Sequence, residues 1–275
     1  MNYIVWPSDK TKIKGIKTGS SLINGNLNSD ALTIMMEYTL IDELGVSYIL
    51  DTISNTHEIF NGTGIDVGGG VSLISSVIEK KFSIQKIFCV EIVEEAVKYT
   101  HEKIQKYILG KKSEKIISVN GDFDHLQLES NSIDFIIGWD AFHHSDNIIV
   151  TLNECNRVLK NNRYLVVIDK VHNNSIADSE IDRMLNVIYD KDFLKSSHID
   201  ENEIIMRKDD GEHEYRFFEW ESFFEKTGFK ILQNFLIKTN SDKKSKNDNN
   251  LEEIEVDFKV GGFQQQKVIY VLKKT

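Results

Sequence analysis

Several features are scarce in this chain of 275 residues, and each scarcity excludes something. There are two cysteines, Cys89 and Cys155. They are far apart and stand in apolar patterns, so no disulfide framework and no thiolate zinc site is expected, only buried free thiols. No apolar run approaches the roughly 18 residues that a membrane-spanning helix needs. Met1 to Lys10 has no basic stretch followed by an apolar core, so no secretory signal is read there. Basic residues are outnumbered, and the net charge is −10. An acidic surface repels phosphate backbones, which disfavours DNA or RNA as substrate. The short run Lys111 to Lys115 reads as a solvated loop. These absences describe a soluble cytoplasmic protein with no nucleic-acid or membrane partner. The single proline carries no functional reading.

What is present begins at Gly64-Ile65-Asp66-Val67-Gly68-Gly69-Gly70. An apolar strand runs into three glycines, and a helical pattern follows at Val71, Ile74, Val77 and Ile78. Glycines let a backbone approach a ligand closely and tolerate positive φ. The helix start then aims free N–H groups at the turn. The dinucleotide pattern G-x-G-x-x-G fails here, because Leu73 holds its third place. A P-loop fails for want of Gly-Lys-Ser/Thr. The Tyr-x-x-x-Lys spelled by Tyr107 and Lys111 comes too early in the chain for a short-chain dehydrogenase.

More marks follow at strand ends. Lys86 to Val90 reads as a second strand ending at Glu91, about where a carboxylate would accept both protons of a ribose diol. Ile116 to Val119 leads to Gly121-Asp122-Phe123. Ser132 to Gly138 is a fourth strand and leads into Trp139-Asp140-Ala141-Phe142-His143-His144. Tyr164 to Asp169 is a fifth, after a helix with Leu152, Cys155, Val158 and Leu159 on one face. Alternating strands and helices over 64–169 imply a parallel sheet with helices on both faces.

Taken together, these marks resemble the class I S-adenosylmethionine (SAM)-dependent methyltransferases, well over residues 60–170 and loosely over 217–275. The departures are Ser72 in place of a last glycine, and Asn161-Asn162 where the family often has Pro-Gly-Gly. The resemblance implies an α/β, Rossmann-like, doubly wound and mostly parallel sheet of seven strands, the last antiparallel, within a three-layer sandwich. It implies SAM as cofactor and S-adenosylhomocysteine as product. Asp66, Gly68, Gly69, Gly70, Glu91, Ile92, Gly121, Asp122, Phe123, Trp139 and Asp140 would form the cofactor site. Asp122 would sit near the adenine amino group and Phe123 against the base.

His143 and His144 are the candidates for a general base on an oxygen or nitrogen acceptor. His213 and Tyr215, alternating with Glu212, Glu214 and Arg216, are candidates for substrate contact; a solvated edge strand is the plainer reading. A magnesium site of the catechol type would use Asp140 and Asp169, but Lys170 stands where an asparagine is needed, so no metal is expected. The expected organisation is a helical cap over 1–60, with a helix from Asp30 to Leu44 and another over 46–59. A methyltransferase domain follows over 61–275. Its insertion at 170–216 would cap a small-molecule acceptor, and 239–253 would form a loop. The acceptor and the oligomeric state stay open.

Overall fold

The computed structural model describes residues 2–8, 14–39, 43–239, 251–256 and 266–275. In chain order its elements are β1 (Ile4–Val5), α1 (Lys14–Gly25), α2 (Ala31–Thr39), α3 (Glu43–Ser54), β2 (Gly62–Val67), α4 (Leu73–Lys81), β3 (Ile84–Glu91), α5 (Glu94–Tyr99), α6 (His101–Leu109) and β4 (Ile116–Asn120). Then come β5 (Ile133–Trp139), a 3-10 turn (Phe142–His144), α7 (Ile148–Val158), β6 (Leu159–Lys170), α8 (Asp178–Leu185), α9 (Lys191–Ser196), a second 3-10 turn (Arg207–Asp210), α10 (Phe217–Lys226), β7 (Phe229–Thr239), β8 (Glu252–Val256) and β9 (Lys267–Lys274).

The strands form one sheet in the order β1-β4-β3-β2-β5-β6-β9-β7-β8. Among the described residues only β9 runs against the others: it pairs antiparallel with β6 and β7, while the remaining pairs are parallel. The inner seven strands match the expected sheet. The two outer ones enlarge it to nine. β1 is too short and too exposed to leave an alternation in the sequence, and β8 begins inside the polar stretch 239–253 read as loop. Residues 240–250 of that stretch are outside the described residues.

β2 sits between β3 and β5, so the chain's winding reverses beside it, and the crevice at its carboxyl end is the natural ligand position. Alternation along β2 decides what each residue faces. Ile65 and Val67 pack with Leu152, Cys155, Trp220 and Phe224 of α7 and α10. On the other face Val77 and Ile78 of α4 pack with Ile49, Leu50 and Ile53 of α3 and with Ile87, Cys89 and Ile137 of the sheet. Asp66, between Ile65 and Val67, therefore points towards α4. Both cysteines are buried and free.

Helix boundaries in the cap differ from expectation. Asp30, expected inside the first helix, is the cap of α2: its Oδ1 accepts the Thr33 N–H at 2.8 Å. α3 contains Glu43, Leu44 and Gly45, so the expected break between a helix ending at Leu44 and one starting at 46 is not there. α1 reaches two distant parts of the molecule. The Ser20 hydroxyl donates to Glu95 of α5 at 2.7 Å, and the Thr18 hydroxyl donates to Asp210 in the insertion. The insertion has its own small apolar centre of Tyr189, Leu194, Ile199 and Ile205.

Candidate active site at the strand ends

The glycine turn is held by its neighbours. Gly68 and Gly70 have φ of +63° and +53°. A Cβ on Gly68 would come within 2.4 Å of the Ala141 Cβ, and one on Gly69 within 2.3 Å of the Cys89 sulfur. The Gly69 N–H donates to the Val90 carbonyl at 2.9 Å. Asp66 Oδ2 accepts both the N–H (3.1 Å) and the hydroxyl (2.6 Å) of Ser75. Burial pushes Asp66 up to about 7, against the pull of those hydrogen bonds. Expected as a cofactor contact, Asp66 instead lies beneath the turn and fixes the first turn of α4. Period-two alternation, which puts Val67 on one face, necessarily puts Asp66 on the other.

Glu91 closes the turn from the next strand. Its Oε2 accepts the Gly70 N–H at 2.9 Å and its Oε1 the Val93 N–H at 2.8 Å. Burial pushes it up to about 7, while these N–H groups pull it down. An ionised carboxylate offers about four acceptor positions. Two are taken, so the pair of hydroxyls on a ribose fits. The Glu91 and Ile92 carbonyls accept the Asn120 side chain at 3.1 and 2.9 Å. The Gly121 N–H donates to the Glu91 carbonyl at 3.0 Å, and a Cβ on Gly121 would lie 2.8 Å from the Trp6 Cβ. Asp122 accepts the Asp124 N–H at 2.9 Å and the Ser8 hydroxyl at 3.3 Å. Phe123 lies beside the Gly68 turn, with its ring 6.4 Å from that of Phe142. Trp139 ends β5 partly buried.

The segment after β5 is built on the end of β6. Asp140 has φ +54°, and its carboxylate meets Lys267 at 2.5 Å. Burial raises Asp140, but Lys267 and His143 outweigh it and hold it at about 2. The buried His143 places Nδ1 2.7 Å from Asp169 Oδ1, and its N–H donates to Asp169 Oδ2 at 3.2 Å. Burial and Lys170 oppose charge on this ring, yet Asp169 and Glu212 prevail and raise it to about 9. His144 is half-exposed, with its ring 4.0 Å from that of His143. Partial burial and the His143 charge lower it to about 4. The two candidate bases are thus in different protonation states at neutral pH.

A group of charges lies beside them that the sequence did not disclose. Lys170, fully buried, pairs with Glu212 and with Glu214 at 3.0 Å. Arg207 reaches Glu212 at 3.1 Å and Glu214 at 2.5 Å. His172 meets Glu214 at 2.6 Å. Burial would raise Glu214, but His172, Lys170 and Arg207 hold it at about 2. Of the alternating residues at 212–215, the glutamates face this group. His213 donates from Nδ1 to the His143 carbonyl at 2.9 Å. Tyr215 packs edge-on against Trp220 and Phe223. Those contacts are to protein, so the substrate role expected of His213 and Tyr215 gains nothing from them. The useful signal was the Glu-x-Glu alternation, read from its other side.

Comparison with known proteins agrees with this geometry. The methyltransferase domain family matches residues 65–167, the span from β2 through most of β6. A search of curated protein sequences finds no significant match. Among solved structures, a proposed sarcosine dimethylglycine methyltransferase of Galdieria sulphuraria superposes with a TM-score of 0.54 at 23% identity, covering 70% of this chain and 64% of that one. This chain therefore spans slightly less than two thirds of that protein. A SAM-dependent methyltransferase of Aquifex aeolicus gives 0.51 at 18% identity over 92% and 98% of the two chains. One of Thermotoga maritima, a candidate histamine N-methyltransferase, gives 0.55 at 17% over 94% and 99%. Likeness at these identities shows the fold alone. No helix among the described residues is long and apolar enough to cross a membrane. The methyltransferase domain match thus lies over the central strands, and around it the chain has the fold of the SAM-dependent methyltransferases, with acids at the strand ends where that fold takes its ligand.

Proposed function

We propose that this protein methylates an oxygen or nitrogen of a small polar metabolite in the cytoplasm. SAM, when bound, supplies a methyl group already activated on a sulfonium. The work left to the chain is to hold donor and acceptor in line, which can contribute several kcal/mol, up to about 7–11 in favourable cases. Glu91 would accept the ribose hydroxyls, Asp122 would face the adenine amino group and Phe123 would pack on the base. Gly68, Gly69, Gly70, Ile92 and Gly121 would line the cofactor with backbone, with Trp139 and Asp140 beside its methionine part. The 1–60 cap and the 170–216 insertion would cover the acceptor, and α1 of the cap reaches Asp210 of the insertion and Glu95 of α5.

The observation that carries a small polar acceptor is the charged group that Glu212, Glu214 and Arg207 of the insertion build against Lys170 and the His143–His144 turn. It is a largely buried, mixed-charge wall and not an open basic groove, and it suits a compact polar molecule. His144, neutral and half-exposed, is the better placed to take a proton from the acceptor. His143, charged and tied to Asp169, would instead donate a hydrogen bond to negative charge on it. Calorimetric titration with SAM, S-adenosylhomocysteine and NADH should show binding of the first two. Tritiated methyl should then pass from SAM into a component of a metabolite extract. Binding of NADH in their place, or SAM binding with no transfer to any acceptor, would refute the reading.

A further inference from the structure

We propose that His143, His144 and Glu212 form a binding site for a divalent first-row transition-metal ion. Each imidazole is held through Nδ1 and turns Nε2 to the same carboxylate. His143 Nδ1 lies 2.7 Å from Asp169 Oδ1, and His144 Nδ1 lies 3.3 Å from the Gly211 carbonyl. With Nδ1 as the donor in both, His144 Nε2 carries a lone pair, and His143 Nε2 presents one once the ion displaces its proton. His143 Nε2 is 3.8 Å from Glu212 Oε2, and His144 Nε2 is 4.0 Å from Glu212 Oε1. One ligand atom from each of the three residues lies within 4.8 Å of the others. Bonds of about 2.0–2.2 Å to a metal would place such atoms roughly 3–3.5 Å apart. Closing the gap takes roughly 1–2 Å at most.

The surroundings are those of a ligand set. Histidine ligands usually donate their other ring N–H to a carboxylate or a carbonyl, and ligating carboxylates are themselves hydrogen-bonded. Here Asp169 and Gly211 supply the first two partners. Lys170 and Arg207 both bind Glu212 through Oε2. No hydrogen bond reaches its Oε1 among the described residues, so Oε1 is the ligand atom and the two cations orient it. Two imidazoles and one carboxylate suit zinc, iron(II), cobalt or manganese, whereas calcium and magnesium want several oxygens. A second grouping, Asp140, His143 and Asp169, is the poorer one. Its Nδ1 is already hydrogen-bonded to Asp169, and Asp140 is paired with Lys267.

Three protein ligands leave positions open on the ion. Ala141, on the same turn, packs against Gly68, so an acceptor oxygen or nitrogen on the ion would lie beside the cofactor crevice. That placement rests on the methyltransferase reading; the metal site does not. With the ion bound, His144 is a ligand and no longer a base.

The test is a cobalt(II) titration of the full, metal-stripped chain without SAM or acceptor, followed by visible absorption, with zinc binding measured by equilibrium dialysis. The wild type should bind one ion and develop d–d bands. His144→Ala and Glu212→Gln, each checked for folding by thermal melting, should lose both. Asp169→Asn should weaken binding by roughly 10–100-fold. No bands and no zinc uptake by the wild type, or equal cobalt uptake by the wild type and both ligand variants, would overturn the site. Failed methyl transfer would bear on the methyltransferase reading alone.

Discussion

Replacing Ser72 by glycine should make this protein more stable while leaving the cofactor turn intact. Ser72 stands at the start of α4 with φ +73° and ψ +23°. An L side chain in that left-handed region costs about 1–2 kcal/mol. Its hydroxyl is buried with no hydrogen-bond partner among the described residues, and it faces the Cys89 sulfur, a weak acceptor. A buried hydroxyl left in that state costs about 1–3 kcal/mol, part of which the sulfur contact returns. Glycine relieves both penalties. Against this stands its greater freedom in the unfolded chain, about 0.5–1 kcal/mol, and the loss of two packed atoms. The balance favours Ser72→Gly by about 1–2 kcal/mol. In a chain of this size each kcal/mol moves Tm by about 2–4 °C, so a rise of about 2–8 °C is expected. Ser72→Ala keeps the strained backbone and removes only the hydroxyl, so it should fall between the wild type and Ser72→Gly. Urea unfolding and scanning calorimetry of all three would decide. If Ser72→Gly melts below the wild type, or Ser72→Ala equals it, the strain argument is wrong.

Glu91→Ala should weaken SAM binding by about 1–3 kcal/mol through lost charge-assisted hydrogen bonds; unchanged calorimetric affinity would remove Glu91 from the site. Burial holds Glu91 near its midpoint at neutral pH, and the ionised form accepts hydroxyl protons better. S-adenosylhomocysteine affinity should therefore rise from about pH 6 to about pH 8, and a flat profile in the wild type would contradict this. Asp66 is raised from 3.8 to about 7 on folding, so the folded state binds its proton more tightly than the unfolded chain does. Its contribution to stability is then lost as pH rises from about 4 to about 7, and Asp66→Asn should flatten that part of the urea-midpoint profile. His143 is raised from 6.5 to about 9. The stability it contributes is present below about pH 6.5 and lost as pH rises through about 9. Asp169→Asn should shrink this alkaline loss, and an unaltered alkaline limb would show that Asp169 is not the partner that matters.

The parts legible in the sequence were those written in neighbouring residues. The glycine turn, Glu91 and the Gly121-Asp122 step each follow a short apolar run, so strand, stop and acid are all local. The amphipathic faces of α4 and α7 were equally plain from Ile74, Val77, Leu152 and Cys155. Asp66 shows the limit of such reasoning: its place at a strand end was right, but alternation sent its carboxylate to α4. The charged wall was hidden because Lys170 meets Glu212 and Glu214 only after the insertion folds back on β6. Lys170 had signified only a missing asparagine. Glu212, which completes the proposed metal site, lies in a stretch with no apolar period to announce its direction. Ser72 read only as a departure from the family's last glycine, because backbone dihedrals leave no trace in residue type.

Ile4 and Val5 have a consequence out of proportion to their size. They pair with Val119 and Asn120, and Trp6 continues the ladder with an N–H to the Asn120 carbonyl at 2.8 Å. The flank of β4 is thereby sheathed by the chain's own leading residues. Trimming the first eight residues would lay that flank bare as a row of unsatisfied amides and carbonyls, a ready template for the same row on another molecule. Trimmed preparations should then self-associate as concentration rises, which sedimentation velocity would show.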